Sequence, residues 1–272
     1  MIDRPTEEAY FWTDHSVLAG RDQVARGSWL CFNPGTLKAA FVTNFRHKQL
    51  TALTSMENRN GTSSLKSRGQ IPVEFVTHKD ISPAKYAAQL QQDVDSYPSF
   101  NVCLFDIANN ECGYFYNHNK ICKYQKIEPG LHGISNAKLN DDSWKKVELG
   151  KQRLRELLQL SPNNNDDVAD DTITSNAMES NLPWDALFNL LSDPTILEAD
   201  PAKLPQTGYG AKYETLFSSI FLTAFEIEQG QMYGTRNQSI LAVWNGHAEL
   251  RERSIRSDGS WSTVRHAFKH SL

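Results

Sequence analysis

Gln238–Trp244 (QSILAVW) and His247–Ser254 (HAELRERS) flank the dipeptide Asn245-Gly246, and this stretch decides the fold. Asparagine and glycine both accept the positive φ that a two-residue hairpin turn requires. Between two apolar runs the pair therefore predicts a tight antiparallel hairpin. Upstream, Leu216–Phe225 is almost entirely apolar or hydroxylic and reads as a further strand. The last third of the chain is thus strand-rich.

The same reading applies further back. Gly27–Phe32 and Leu37–Asn44 surround Asn33-Pro34-Gly35, a strong turn signal, and predict a second hairpin. Phe100–Asp106 and Gly113–Tyr116 predict a third about Asn109-Asn110. Helices interrupt the strands. Ser82 followed by Pro83 reads as a helix start, with Tyr86, Leu90 and Val94 on one face as far as Tyr97. A second helix is predicted over Ser143–Leu160, with Val147, Leu154, Leu157 and Leu158 on its buried stripe. A short one is predicted over Trp184–Leu191. Residues 51–70 read as a polar loop. Residues 161–181, with Asp166-Asp167 and Asp170-Asp171, read as a disordered acidic loop inside one domain spanning 1–272. Antiparallel hairpins with inserted amphipathic helices predict an α+β fold: two stacked antiparallel sheets flanked by helices.

Composition narrows the function classes. The chain has 272 residues and a formal net charge of −4, so no broad basic field exists to hold nucleic acid. No apolar run approaches the ~18 residues that cross a bilayer. The first residues lack the basic-then-apolar profile of a signal peptide. Cys31, Cys103, Cys112 and Cys122 form no CxxC pair and lie in or beside apolar runs, as reduced thiols of a cytoplasmic protein do.

Seven segments in order resemble the NRDE-domain family, also called the transport-and-Golgi-organisation protein 2 family. They are Arg4-Pro5-Thr6 with Ala9 and Phe11-Trp12; Leu18–Asp22 with Gly27–Leu30; Thr43–Arg46; Ser67-Arg68-Gly69; Gly133–Ala137 with Trp144 and Lys146; Tyr233–Arg236; and Glu252-Arg253-Ser254. The resemblance implies an αββα architecture like that of N-terminal-nucleophile hydrolases. It also implies links to secretion and Golgi organisation, to mitochondria and lipid handling, and to haem export from storage or haem-rich compartments.

The sequence departs from that pattern at its start. Family members begin with Met-Cys, a strand and the Asn-Arg-Asp-Glu motif, whereas Met1-Ile2 leads directly into the segment that follows the motif. Chemistry of this type uses the side chain of the first residue as nucleophile and its α-amine as base. Ile2 has no nucleophilic atom, so no catalytic residue is assigned and a non-enzymatic role is expected. The alternatives are an amide-hydrolase relative lacking its true N-terminus and a ligand-free secretory-pathway scaffold.

The matched segments supply candidate ligand-binding residues: Asn44, Arg46, Ser135, Asn136 and Arg236. Asparagine amides donate to anionic oxygens, and arginine holds a carboxylate. Haem, with two propionates, is the cargo the resemblance implies. Among the eight histidines none lies in a haem-attachment motif, and His132 beside the Gly133–Ala137 segment is the candidate axial ligand, while His266 and His270 with Arg265 and Lys269 read as a solvated basic tail. No metal site is expected, because the 161–171 acidic run lacks the ligand spacing of a calcium loop. The expected role is a haem carrier in trafficking, cytoplasmic and peripherally associated with organelle membranes such as mitochondria or Golgi.

Overall fold

The computed structural model describes residues 4–45, 65–160, 182–228, 230–244, 246–256 and 258–270. The chain first builds a seven-stranded antiparallel sheet in sequential order. Its strands are β1 (Thr6–Trp12), β2 (Val17–Asp22), β3 (Leu30–Asn33), β4 (Lys38–Asn44), β5 (Phe100–Asp106), β6 (Glu111–His118) and β7 (Ile121–Lys126). A small pair, β8 (Phe225–Glu228) and β9 (Gln231–Tyr233), precedes a three-stranded sheet of β10 (Asn237–Trp244), β11 (His247–Ile255) and β12 (Trp261–Lys269). Among the described residues the α-helices are α1 (Gln70–Thr77), α2 (Pro83–Gln92), α3 (Lys145–Leu157), α4 (Trp184–Leu191) and α5 (Ala211–Leu216).

Period-two alternation gives each sheet two faces, and every face meets a layer. On one face of the large sheet Val17, Ala19, Cys31, Ala40, Val102 and Phe115 pack with Ile71 and Phe75 of α1 and with Tyr86 and Leu90 of α2. On the other, Leu18, Phe32 and Ala39 meet Ala248 and Leu250 of β11, with Leu241, Val243, Val264 and Phe268 around them. Residues of β11 at odd positions point the opposite way. Arg251 and Arg253 place their guanidinium groups 4.0 Å and 4.2 Å from the ring centres of Trp184 and Phe188 in α4. Helix α3 lies beside α4, and its Arg153 pairs with Asp193. The layers run helix, sheet, sheet, helix, in an α+β protein.

The turn signals act as the sequence predicts. Asn33 Oδ1 accepts from the backbone N–H groups of Gly35 (2.8 Å) and Thr36 (3.2 Å), closing the β3–β4 turn. Asn110 takes φ +52° between β5 and β6, and Gly246 takes φ +74° between β10 and β11. Ser82 Oγ accepts from Lys85 N–H (3.3 Å) and caps α2. That helix ends at Gln92, and Val94–Ser96 form a separate 3-10 turn. The long helix is trimmed to Lys145–Leu157, with only Val147 fully buried.

Two readings are corrected. Leu216–Phe225 is not a strand: Leu216 closes α5, and strand begins only at Phe225. The apolar character of the segment comes from packing, with Phe217 buried against Tyr209, Phe225 and Tyr233. The C-terminal residues Arg265, His266, Lys269 and His270, which resemble a solvated basic tail, mostly belong to β12. Val264, His266 and Phe268 face the large sheet while Arg265 faces out to Glu249. Alternation of apolar and basic residues hides a strand from a reading by charge alone. Helix α1 begins inside the expected polar loop, and the acidic 161–181 stretch lies outside the described residues.

Lys38 ties β4 to the helical layer. It is 1% exposed, and Nζ donates to the carbonyls of His78 (2.7 Å), Lys79 (3.0 Å) and Ile81 (2.6 Å), with an Asp106 carboxylate oxygen at 3.7 Å. Replacing Lys38 by Met keeps the length and removes the donors, so three carbonyls lose a partner. Each such loss costs about 1–3 kcal/mol. Urea denaturation at pH 7 is expected to show Lys38→Met less stable by ~3 kcal/mol or more; a loss below ~1 kcal/mol would mean that Lys38 is not the staple.

Candidate functional site

Seven strands cannot be covered by three. The inner face of the large sheet is capped by β10–β12 over its first strands, while the segment around Ile134 and Leu139 packs on Tyr114, Tyr116, Phe41 and Phe105 farther along. Between these two covers lies a cleft of about 560 Å³. Its floor is Leu30, Ala39, Phe41, Thr43, Phe105 and Ile107, and its side wall is Asn237, Ser239, Leu241 and Val243 of β10. Trp29 and Val42 complete the lining. The ring of Trp29 lies against Gly20, where an added Cβ would sit 2.4 Å from Trp29 Cζ2, so only glycine allows this seat. A glycine in β2 thus positions a cleft residue nine positions later.

The lining carries no titratable side chain among the described residues. Its three polar side chains are bonded. Thr43 Oγ1 donates to the Ser135 carbonyl (3.0 Å) and accepts from Asn101 Nδ2 (3.1 Å). Ser239 Oγ donates to Glu252 Oε2 (2.6 Å). Asn237 Nδ2 donates to Ser254 Oγ (2.6 Å) and Glu252 Oε1 (3.3 Å). Glu252 is 1% exposed and also accepts from the Ala9 backbone N–H (2.8 Å), which links β11 to β1 across the sheet interface. Burial raises the pKa of its carboxyl, and the charge of Glu8 adds to this, against the bonds from Ser239, Ala9 and Asn237. Beside it the Ser262 hydroxyl donates to Glu8, and the His266 ring bonds the Ala9 carbonyl (2.8 Å).

The sequence candidates divide into groups. Asn44, Ser135 and Asn136 come together at the end of β4: Asn136 Nδ2 donates to the Asn44 carbonyl (2.8 Å), one residue from the Thr43–Ser135 bond. This cluster adjoins the cleft through Thr43. Arg236 stands just before β10, next to cleft residue Asn237, and its guanidinium donates to the Arg4 carbonyl. Arg46 lies outside the described residues. His132 is exposed, with Nε2 bonded to the Glu128 carbonyl (2.8 Å) and Nδ1 to Asn140 Nδ2 (3.0 Å); it staples its own loop and is not part of the cleft lining. The cleft residues themselves are not among the sequence candidates. The alternation Asn237, Ser239, Leu241, Val243 could have marked one face, but nothing in the sequence says which face meets the large sheet.

An αββα sandwich with an apolar cleft between its sheets is a fold that can enclose a small or extended ligand. A model of the Transport and Golgi organisation 2 family matches residues 1–257, and the chain belongs to that family, which is one of transport and Golgi organisation. No curated protein shows significant similarity to it. Among the described residues no helix is long and apolar enough to cross a membrane, and no group of three or more His, Cys, Asp or Glu is placed to hold a metal ion.

Glu252 gives this interface a pH dependence with a definite sign. Its folded pKa is raised, so its contribution is present at low pH and is lost as pH rises through the folded value. Glutamine keeps the acceptor for Ala9 and cannot ionise. Glu252→Gln is therefore expected to gain stability relative to the parent as pH rises from 4 to 8, measured by urea denaturation at each pH. Glu252→Ala, which leaves the Ala9 N–H without an acceptor, is expected to lose about 1–3 kcal/mol at pH 5. A parent and a glutamine variant with parallel pH profiles would refute the assignment.

Proposed function

We propose that the chain is a non-catalytic carrier that holds an apolar small molecule in the inter-sheet cleft, and that this cargo is haem. The observation that carries the reading is the lining: mostly aromatic and aliphatic side chains, with three polar ones already bonded and no titratable group among them. General acid–base and nucleophilic catalysis need such groups, whereas retention of an apolar ring does not. The volume falls within the ~300–1,000 Å³ of small-molecule sites. The buried thiols of Cys31 and Cys103 offer no nucleophile either. Burial pushes Cys31 and Cys103 up to about 12, and Cys31 lies on the helix-covered face of the sheet.

The lining offers no His, Cys, Met or Tyr as axial ligand. Haem there is gripped by Trp29, Phe41 and Phe105 and by burial rather than by coordination, and release then requires no iron–ligand bond to break. Asn44 and Asn136 beside Thr43, and Arg236 beside Asn237, are the polar residues that would meet its propionates. Family membership supports a place in transport, with peripheral contact to organelle membranes, mitochondrial or Golgi, as the setting.

Titration with haemin, followed by visible absorption, tests this. A saturable one-to-one Soret shift is expected, weakened about tenfold or more by Phe41→Ala, a loss of ~1.4 kcal/mol, and unchanged in His132→Ala. Thermal melts confirm that both variants fold. No shift beyond that of an unrelated protein of equal charge, or a shift indifferent to Phe41, would reject haem as cargo.

A further inference from the structure

Strand β12 is the edge of the three-stranded sheet away from the cleft, and its two faces differ. Ser262, Val264, His266 and Phe268 turn toward the large sheet. Trp261, Thr263, Arg265, Ala267 and Lys269 alternate with them and are all exposed. This outer row holds two cations and no acid, in a chain whose formal net charge is −4. Its sign is opposite to that of the molecule.

The neighbouring row on β11 reinforces that sign. Arg251 stands directly opposite Arg265. Like charges facing each other across a ladder repel. Glu249 holds both: its Oε1 accepts from the Nε of each arginine, and its Oε2 accepts from Arg265 Nη2 (3.0 Å). One buried carboxylate thus serves two guanidinium groups, and a positive charge is left over. Arg265 is fixed along one edge while its side chain stays 63% exposed. Lys269 forms no ion pair among the described residues. Four residues separate Arg265 from Lys269, or ~13 Å at ~3.3 Å per residue. That is too far apart for both to hold one phosphate. Trp261 ends the row, 41% exposed, with its ring 6.1 Å from that of Phe221.

We propose that the outer row of β12 is the surface by which this protein lies on a membrane rich in anionic phospholipid, with Arg265 and Lys269 meeting headgroup phosphates and Trp261 entering the interface. The proposal rests on the peripheral membrane contact of the proposed function and is independent of the cargo. Cations near an anionic leaflet draw the protein in, and an inserted apolar side chain retains it; either signal alone binds weakly. An indole has an apolar body and one N–H, and it settles where hydrocarbon meets water. The cations are spread along an extended strand rather than gathered about a point, which suits a layer of headgroups and not one soluble anion. Nucleic acid is also an extended anion, but the net charge of −4 repels it and it offers Trp261 no hydrocarbon.

The test is co-sedimentation of the full chain, without haemin, with phosphatidylcholine vesicles that contain phosphatidylserine. Binding is expected, and it should fall as salt is added, because charge attraction is screened within ~10 Å at 0.1 M. Each cation at such a surface changes partitioning about fivefold, so Lys269→Glu, which reverses a charge, is expected to weaken binding roughly tenfold or more. Trp261→Ala is expected to weaken it as well. Lys123→Glu on β7 changes the net charge equally and is expected to leave binding unchanged. Thermal melts confirm that each variant folds. Equal binding to phosphatidylcholine alone, or equal losses in Lys269→Glu and Lys123→Glu, overturns this face and leaves the membrane setting in place. Absence of binding to any vesicle overturns both, while the haemin titration reads the cargo separately. Binding of a labelled DNA duplex that Lys269→Glu abolishes also overturns the proposal, and would assign the row to nucleic acid.

Discussion

Both faces of the seven-stranded sheet are apolar, and water must be kept from each of them. The helix-facing side is covered by α1 and α2, which stand between β4 and β5 in the chain. The other side is solved at long range, by a sheet formed more than a hundred residues later. Three strands are too few for seven, so a second cover is recruited from the segment around Ile134 and Leu139. The cleft is the remainder where the two covers do not meet. Its apolar walls are a consequence of the sheet face it exposes, and its polar wall is the edge of the sheet that stops short.

Two buried charged residues hold the layers in register, each by a different route. Lys38 donates to carbonyls at the end of α1 and in the loop before α2, so it fastens β4 to the helices with donors. Glu252 accepts from β1 and from two residues of β10, so it fastens sheet to sheet with acceptors. Neither relies on a close, directly bonded counter-ion. Both answer unpaired polar groups at an interface, which is where a buried charge is tolerated. Glu252 also fixes Asn237 and Ser239, and so sets the polar rim of the cleft.

The proposed binding role fits this division of labour. The cleft's hydroxyls and amide are already committed to the scaffold, and the thiols of Cys31 and Cys103 are buried. Among the described residues, what the cleft presents beyond them is apolar surface. Apolar surface attracts an apolar ring. The candidate polar residues Asn44, Ser135 and Asn136 form a cluster at the margin of this space rather than its centre.

Local chemistry was legible in the sequence where a few consecutive residues determine it. Asn245-Gly246, Asn33 with Gly35 and the Ser82 cap each set a backbone conformation that needs no distant partner, and each hairpin or helix stands where those residues imply. The α+β class and the family motifs followed from the same short stretches. Alternation along β12 was concealed because its outward positions are basic, and Leu216–Phe225 misled because helix, turn and strand can all bury apolar side chains. Which face of β10 meets the large sheet, how far three strands reach across seven, and that Trp29 rests on Gly20 were decided only by tertiary packing. These depend on contacts between residues far apart in the chain, where the fit of whole layers, and not the preference of any one residue, sets the free energy.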